Sequence, residues 1–254
     1  AGGGIRSVED GKRLLAAGAD KLAINTAAVK NPELLKHLSN RFGRQCIVLS
    51  VQARRKLRGE TGWEVMLSSG REKTSLNLKE WINKAIKYGV GEVFLTSVDQ
   101  DGTQSGPDDE LIKYVSNFID VPLVVCGGFN SFESVKRNFK NENVSAIAIG
   151  ASLHNGKIRI EDIKKKLIEN QISIRYRENI EIKVEKKLLD SEKFPTILVI
   201  DYGMGNIQSL INALKILKYK PILSSDIDLI KNSDLVILPG VGSFPAGMKE
   251  LEER

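Results

Sequence analysis

Short apolar segments alternate with helix-like segments five times in the first two thirds of the sequence, and this alternation restricts the fold most. The apolar segments are four to seven residues long, as expected for strands buried on both faces of a parallel sheet. The clearest one, residues 92–98, runs directly into Asp99-Gln100-Asp101-Gly102-Thr103. Because parallel strands bring their C-terminal ends to one edge, we expect ligands to bind there.

The predicted strands and helices follow in strict order along this part of the chain. Strands are predicted at residues 21–25, 45–51, 92–98, 122–126 and 146–150. Helices are predicted at residues 7–18, from Asn31-Pro32 onward, and at 77–88, 108–118, 131–140 and 160–170, with a β-hairpin inserted at 54–74. Every strand ends in a small or polar residue or runs directly into one, so a shared rim is expected. The pattern predicts a partial (βα)8 barrel of the TIM type, made of five C-terminal βα units.

The composition changes after this part of the chain. Residues 176–195 are rich in charge and lack glycine, which predicts a linker between a domain at 1–175 and another at 196–254. The second domain opens with a strand at 196–200, a Gly-rich turn and an amphipathic helix at 207–217. Short strands follow at 221–224 and 235–238. This order predicts the truncated start of an open, doubly wound α/β sheet.

Charge and cysteine content exclude several classes of protein. The net charge is +6, but the lysines are spread along helix faces and the linker rather than interleaved with aromatic residues, which argues against nucleic-acid binding. The apolar runs fall short of the ~20 residues of a membrane helix, and the N-terminus lacks a secretion-signal pattern. Cys46 and Cys126 both lie in apolar runs, which favours a reducing cytoplasm over a disulfide framework.

Small-residue pairs at the predicted strand ends indicate phosphate binding. Glycine lets backbone N–H groups approach a phosphate closely, and helix N-termini favour its charge. The pairs and triplets are Gly2-Gly3-Gly4, Asn25-Thr26, Asp101-Gly102, Gly127-Gly128 and Gly150-Ala151. Two such phosphate-binding sites, here called phosphate seats, on opposite sides of a barrel would suit a substrate with a phosphate at each end. The sequence indicates neither a metal site nor a cofactor.

Longer segments carry a family resemblance. The first part contains GGGIRSVED, GADKLAINTAAVKNP, GEVFLTSVDQDGTQSG and VVCGGFNSFESV, and the second contains ILVIDYGMGNIQSLINAL and VILPGVGSFPAGM. Residues 1 to about 175 resemble the cyclase subunit of the imidazole glycerol phosphate synthase family, and about 196–254 resemble the opening of its class I glutaminase subunit. The resemblance implies a lyase of histidine biosynthesis. Its glutaminase part would release ammonia from glutamine, and the ammonia would pass through the barrel to a phosphorylated ribulosyl intermediate.

The resemblance also assigns residues. It implies phosphate and substrate contacts at Gly4, Asn25 and Thr26 on one side, and at Asp101, Gly102, Gly128, Gly150 and Ala151 around the other. It implies an ammonia gate at Lys21 and Glu92, for which a plain salt bridge at the strand starts is equally consistent. It implies an oxyanion strand at Gly240, Val241 and Gly242.

One position departs from the family pattern. Gln52 stands where the family's second catalytic aspartate ends its strand. An amide cannot exchange a proton near neutral pH, so it cannot serve as the general acid or base of ring closure. Asp99, at the end of the next strand, is a possible supporting carboxylate.

Two alternatives therefore stay open beside the histidine-pathway cyclase. One is a related amidotransferase of surface-polysaccharide sugar biosynthesis, which the loss of the acid suits. The other is a non-catalytic module that binds phosphosugars or a glutaminase partner. The resemblance further predicts that the chain lacks the first three barrel strands and the glutaminase nucleophile, so that this piece alone is inactive.

Overall fold

The computed structural model describes residues 1–56, 60–141, 143–175, 195–202, 207–239 and 248. The helices it describes are α1 (Val8–Ala16), α2 (Thr26–Lys30), α3 (Glu33–Phe42), α4 (Leu78–Lys87), α5 (Asp109–Ser116), α6 (Phe132–Phe139), α7 (Ala151–His154), α8 (Ile160–Glu169), α9 (Ile207–Ile216) and α10 (Ile227–Asn232). The strands it describes are β1 (Leu22–Ile24), β2 (Ile47–Arg55), β3 (Trp63–Leu67), β4 (Glu72–Asn77), β5 (Glu92–Ser97), β6 (Leu123–Cys126), β7 (Val144–Ala148), β8 (Ile197–Ile200), β9 (Ile222–Ser224) and β10 (Leu235–Ile237).

Five of these strands form the parallel part of one sheet, in the order β1, β2, β5, β6, β7. Each neighbouring pair in that order is parallel. The hairpin of β3 and β4 is antiparallel and joins the sheet along the C-terminal part of β2. This arrangement confirms the predicted α/β fold and is that of a partial TIM-type barrel, with the hairpin inserted after the second strand.

The helices cover the outside of this sheet with their apolar faces. Leu35 and Leu38 of α3 and Ile82 of α4 are fully buried, as are Leu49 of β2 and Leu95 of β5. Burying one such side chain stabilises a fold by about 1.5–3 kcal/mol, so this shared core holds the strand ends in place. The sheet therefore provides a rigid frame for the loops that follow its strands.

Several element boundaries differ from the predictions. The strand predicted at 45–51 begins later, because Arg44–Cys46 forms a 3₁₀ turn, and it continues to Arg55, where the hairpin supplies pairing partners. The strand predicted at 146–150 lies at Val144–Ala148. Helices α2 and α7 were missed, because four or five residues are too few to show helical periodicity.

The later part of the chain forms a separate three-stranded sheet in the order β10, β8, β9, and both pairs are parallel. This matches the predicted βα opening of the segment, while its assignment to a glutaminase domain and the proposed domain boundaries stay predictions. Most of the predicted linker lies outside the described residues. Within the described ranges, no helix has the length and apolarity to cross a bilayer.

Candidate functional site

Polar and small residues follow the parallel strands at their shared C-terminal edge. Asn25 follows β1, and Gln52 lies in the C-terminal half of β2. The loop after β5 contains Asp101, β6 runs into Gly127-Gly128, and Gly150 precedes α7. The predicted site residues of the barrel part, apart from the Lys21–Glu92 pair, therefore belong to one edge.

A cleft of about 50 Å³ lies between the loops after β5, β6 and β7. Its lining includes five predicted site residues, namely Asp101, Gly102, Gly128, Gly150 and Ala151. Gln104, Cys126, Gly127, Phe129, Ala148 and Ile149 complete it. A cleft of this size holds a few water molecules or one small anion.

Gly128 lines this cleft at a position that has no room for a side chain. Its φ of +80° lies in the left-handed region, and a Cβ there would lie 2.0 Å from the carbonyl oxygen of Gly106. The Gly106 N–H donates to the Gly128 carbonyl oxygen at 2.9 Å, which ties the loop after β5 to the end of β6. Glycine is therefore required here both for its conformation and for the absence of a side chain.

The loop after β5 is held by hydrogen bonds of its own. The Asp101 N–H donates to the Ser97 carbonyl oxygen at 2.9 Å, and Asn130 Nδ2 donates to the Gln104 carbonyl oxygen at 2.9 Å. Gln104 Oε1 is buried without a hydrogen-bond donor among the described residues. Sequence reasoning missed Gln104, whose positive φ of +54° leaves no mark in the sequence because the residue is not a glycine.

Burial raises the pKa of the Cys126 thiol, and the negative charge of Asp101 raises it further. Cys126 ends β6 and lines the cleft. The thiol is therefore neutral and poorly nucleophilic at pH 7. This makes it a reporter of the cleft rather than a reacting group.

The second group of predicted phosphate residues lies at the same C-terminal edge, beside the end of β1. Gly2 pairs in parallel with Ala23, and Gly4 and Asn25 each come two residues after this pair. Thr26 is the first residue of α2. The pairing therefore puts Gly4 on the segment adjacent to the Asn25-Thr26 turn.

Gln52 joins this second group through its side chain. Its Oε1 accepts a hydrogen bond from Asn25 Nδ2 at 3.2 Å and another from the Gly70 N–H at 3.0 Å. The Asn25 Oδ1 atom is buried without a donor among the described residues. The position at which the resemblance predicts an aspartate thus holds a neutral amide that is fixed by two donors.

Asp99 has a different environment. Its side chain is exposed, and Oδ2 accepts the Arg55 N–H at 2.8 Å. Within the described residues it makes no hydrogen bond to Gln52. Its role as a supporting carboxylate stays a prediction.

A cluster that sequence reasoning missed fastens the hairpin to α5. The Arg55 guanidinium lies 4.9 Å from the centre of the Trp63 ring and donates to Glu110 Oε2 at 2.7 Å. That hydrogen bond raises the pKa of Arg55. Trp63 Nε1 donates to Asp108 Oδ2 at 3.4 Å, and Asp108 caps α5. The cluster anchors both ends of the loop that contains Asp99 and Asp101.

The predicted gate residues lie at the opposite edge of the sheet. Lys21 Nζ and Glu92 Oε2 are 2.5 Å apart, where β1 and β5 begin. The Lys21 side chain is 47% exposed and that of Glu92 is 17% exposed. The structure shows the salt bridge; its function as an ammonia gate stays a prediction.

Gly240, Val241 and Gly242, the predicted oxyanion strand, lie outside the described residues. The residue before them is described: the Tyr202 hydroxyl donates to the Pro239 carbonyl oxygen. This hydrogen bond connects the ends of β8 and β10. Within the described residues, no group of three metal-ligating side chains occurs.

A family profile described as "Histidine biosynthesis protein" matches residues 1–159. The chain belongs to the histidine biosynthesis protein family. A relative within this family, "Imidazole glycerol phosphate synthase subunit HisF" of Prochlorococcus marinus (strain AS9601), is 43% identical over 174 residues, which is 68% of both chains. The protein of that name from Lactococcus lactis subsp. lactis (strain IL1403) is 38% identical over 174 residues, 68% of this chain and 67% of the relative. The one from Legionella pneumophila is 50% identical over 132 residues, 52% of this chain and 61% of the relative.

These matches confirm the predicted HisF-type cyclase domain and its enzyme class in histidine biosynthesis. Together with the parallel sheet, they also confirm the predicted barrel type for the first part of the chain. The family match ends at residue 159. The glutaminase part and the transfer of ammonia therefore stay predictions.

Proposed function

We propose that the barrel part binds a ribulosyl intermediate with a phosphate at each end and takes part in the cyclase reaction of imidazole glycerol phosphate synthase. The observation that carries this proposal is the cleft that joins Asp101, Gly102, Gly128, Gly150 and Ala151. These residues come from three separate loops. Their convergence on one small cleft is what a phosphate seat requires.

Backbone N–H groups are the donors that we assign to this seat. The first N–H groups of a helix have no acceptor within it, and α7 begins at Ala151, on the cleft wall. The Asp101 carboxylate would repel a phosphate placed against it, and the Asp101 N–H already donates to Ser97. Contact at this loop is therefore assigned to the backbone at Gly102, which is exposed.

The second phosphate is assigned to the Asn25-Thr26 turn together with Gly4, which lies on the segment beside it. Asn25 precedes α2, and its buried Oδ1 lacks a donor among the described residues. A hydroxyl group of the substrate beside the phosphate would supply that donor. The two seats then bind a ligand that extends across the C-terminal edge of the sheet.

Ammonia would reach this ligand from the opposite edge. We assign its release from glutamine to a complete glutaminase domain, of which residues 196–254 form the start, and its entry to a gate at Lys21 and Glu92. Lys21 is half exposed, and ion pairs near the surface contribute only about 0–1 kcal/mol, so we expect this pair to open at little cost. We place the reaction in the cytoplasm, where the free thiols of Cys46 and Cys126 stay reduced.

A second candidate function is favoured by Gln52. Its amide is held by two hydrogen-bond donors and cannot transfer a proton. A relative that delivers ammonia to a surface-polysaccharide sugar would use the same seats without the ring-closing acid. A non-catalytic phosphosugar-binding module is the third candidate, and it also retains the seats.

Complementation separates these candidates. The gene that encodes this chain, expressed with its natural flanking sequence, is introduced into a bacterium that requires histidine because it lacks the cyclase. Growth without histidine supports the cyclase. Growth only with Gln52→Asp shows that the loss of the acid inactivated a cyclase site, and failure of both genes despite normal expression counts against the histidine-pathway reaction.

A further inference from the structure

Gln52 lies where one edge of β2 changes its pairing partner from β1 to β3. On one side, β2 pairs with β1 as far as Leu49, opposite Ile24. From Gln52 onward, the same side pairs with β3 of the hairpin. The Gln52 side chain is therefore positioned between the end of β1 and the hairpin that continues the sheet beyond it.

The hydrogen bonds fix the orientation of this side chain. The Gly70 N–H can only donate, so the atom that faces it at 3.0 Å is the Gln52 oxygen. Asn25 approaches the same oxygen at 3.2 Å and must present its Nδ2 group. One carbonyl oxygen thus connects the turn after β1 with the turn between β3 and β4.

The contact continues from Gly70 to the other phosphate seat. A Cβ on Gly70 would lie 2.8 Å from Val98 Cγ1, so the turn packs directly on Val98. The Val98 N–H donates to the Ala53 carbonyl oxygen at 2.8 Å, which fixes the start of the loop that contains Asp101. A continuous line of contacts therefore joins Asn25 to the cleft loop.

We propose that Gln52 is a positioning residue that sets the separation of the two phosphate seats. This rests on the proposed function of those seats. The Gln52 oxygen binds Asn25 in the first seat and, through Gly70 and Val98, supports the loop of the second. Losing it lets the turn and Asn25 move independently, which weakens a ligand that must occupy both seats more than one that occupies a single seat.

The amide suits this role for a physical reason. Its carbonyl accepts two N–H groups without adding a negative charge between two phosphates. An aspartate has one methylene fewer and carries a charge at neutral pH, so it reaches the two donors less well and repels the ligand. Gln52 thus cannot transfer a proton, but it can hold the two phosphate seats at a fixed distance.

The test uses Gln52→Met in the full chain, which keeps the length of the side chain and removes its oxygen. We expect hydrogen exchange at the Gly70 amide to become about tenfold faster, because its acceptor is lost. We expect affinity for a pentulose bisphosphate to fall about tenfold, with little change for inorganic phosphate. Gln52→Glu restores an acceptor and should restore slow exchange at Gly70. The matched control is Gln45→Met just before the other end of the strand, where the side chain donates to the Phe42 carbonyl oxygen and makes no other hydrogen bond among the described residues.

The outcomes distinguish a failure of the positioning role of Gln52 from a failure of the proposed phosphate binding. If the unaltered chain binds neither inorganic phosphate nor the bisphosphate, the proposed function fails. If the unaltered chain binds both ligands, and Gln52→Met lowers the two affinities equally or leaves both unchanged, the positioning role is overturned. If Gln52→Met does not fold, Gly70→Ala decides the matter, because it displaces the turn from Val98 and leaves Gln52 intact. Under the proposal, Gly70→Ala lowers bisphosphate affinity selectively, and an unchanged affinity overturns it.

Discussion

The two sides of the binding edge are built from different chemistry. On one side, Gly102, Gly128 and Gly150 present backbone around a small cleft. On the other, Asn25 and Gln52 present side-chain amides that bond to each other. The backbone side depends on glycines that have no side chain to fill the cleft. The amide side depends on particular side-chain atoms, the amide oxygens and nitrogens of Asn25 and Gln52.

This difference separates binding from proton transfer. The phosphate seat proposed on the backbone side needs no titratable group to attract a phosphate. The position at which the family resemblance predicts an aspartate lies on the amide side, and there this chain has the neutral Gln52. The site can therefore retain its ligand class while its reaction changes.

The largest effect is expected from Gly128→Ala on the backbone side. The new Cβ meets the Gly106 carbonyl oxygen and also requires a left-handed conformation, so we expect unfolding free energy to fall by about 1–3 kcal/mol. Phosphate affinity should fall at least about tenfold, as measured by phosphorus NMR titration. The control is Gly62→Ala, with φ +94° and no atom of the described residues within 4 Å of the new Cβ. Gly62→Ala measures the stability lost by placing alanine in a left-handed conformation, and it should leave phosphate binding intact. An equal loss of phosphate affinity in both variants would contradict a specific role for Gly128.

The backbone side is also the side that the sequence predicts well. Glycine pairs after apolar runs mark loops that must approach a ligand or a neighbouring loop, and the family resemblance carries them over residue by residue. The cleft brings five such residues together. Gln104 escaped prediction because its backbone strain belongs to a residue type that rarely shows it.

The amide side could be predicted only in part. The sequence identifies Gln52 as a departure from the family, but its partner Gly70 lies eighteen residues away in a hairpin turn. That contact depends on β2 changing partners along its length, which no local pattern records. Arg55 and Trp63 were missed for the same reason, since their contacts join the hairpin to a distant helix.

A smaller effect is expected at Cys126, which reports occupancy of the backbone side. The pKa of its thiol is raised by burial, so at pH 8 it has less thiolate than a free cysteine and reacts more slowly with an alkylating reagent. The alkylation rate of Cys126 should rise with pH only above the ordinary pKa range of a thiol. Added phosphate should slow the reaction a few-fold, by blocking the cleft and adding negative charge.

Cys46 provides the internal control for this labelling. It is buried in the 3₁₀ turn before β2, and burial raises its pKa as well. It is not part of the cleft lining. Mass spectrometry of both peptides should show that phosphate protects Cys126 alone; equal protection of the two would indicate general stabilisation rather than a ligand in the cleft.

The most direct test compares a pentulose bisphosphate with the matching monophosphate by calorimetric titration of the full chain. If the backbone and amide sides each hold one phosphate, the second contact forms within a single complex, and the bisphosphate should bind about a hundredfold more tightly. Equal affinities for the two ligands would show that only one side binds phosphate, and would contradict the account.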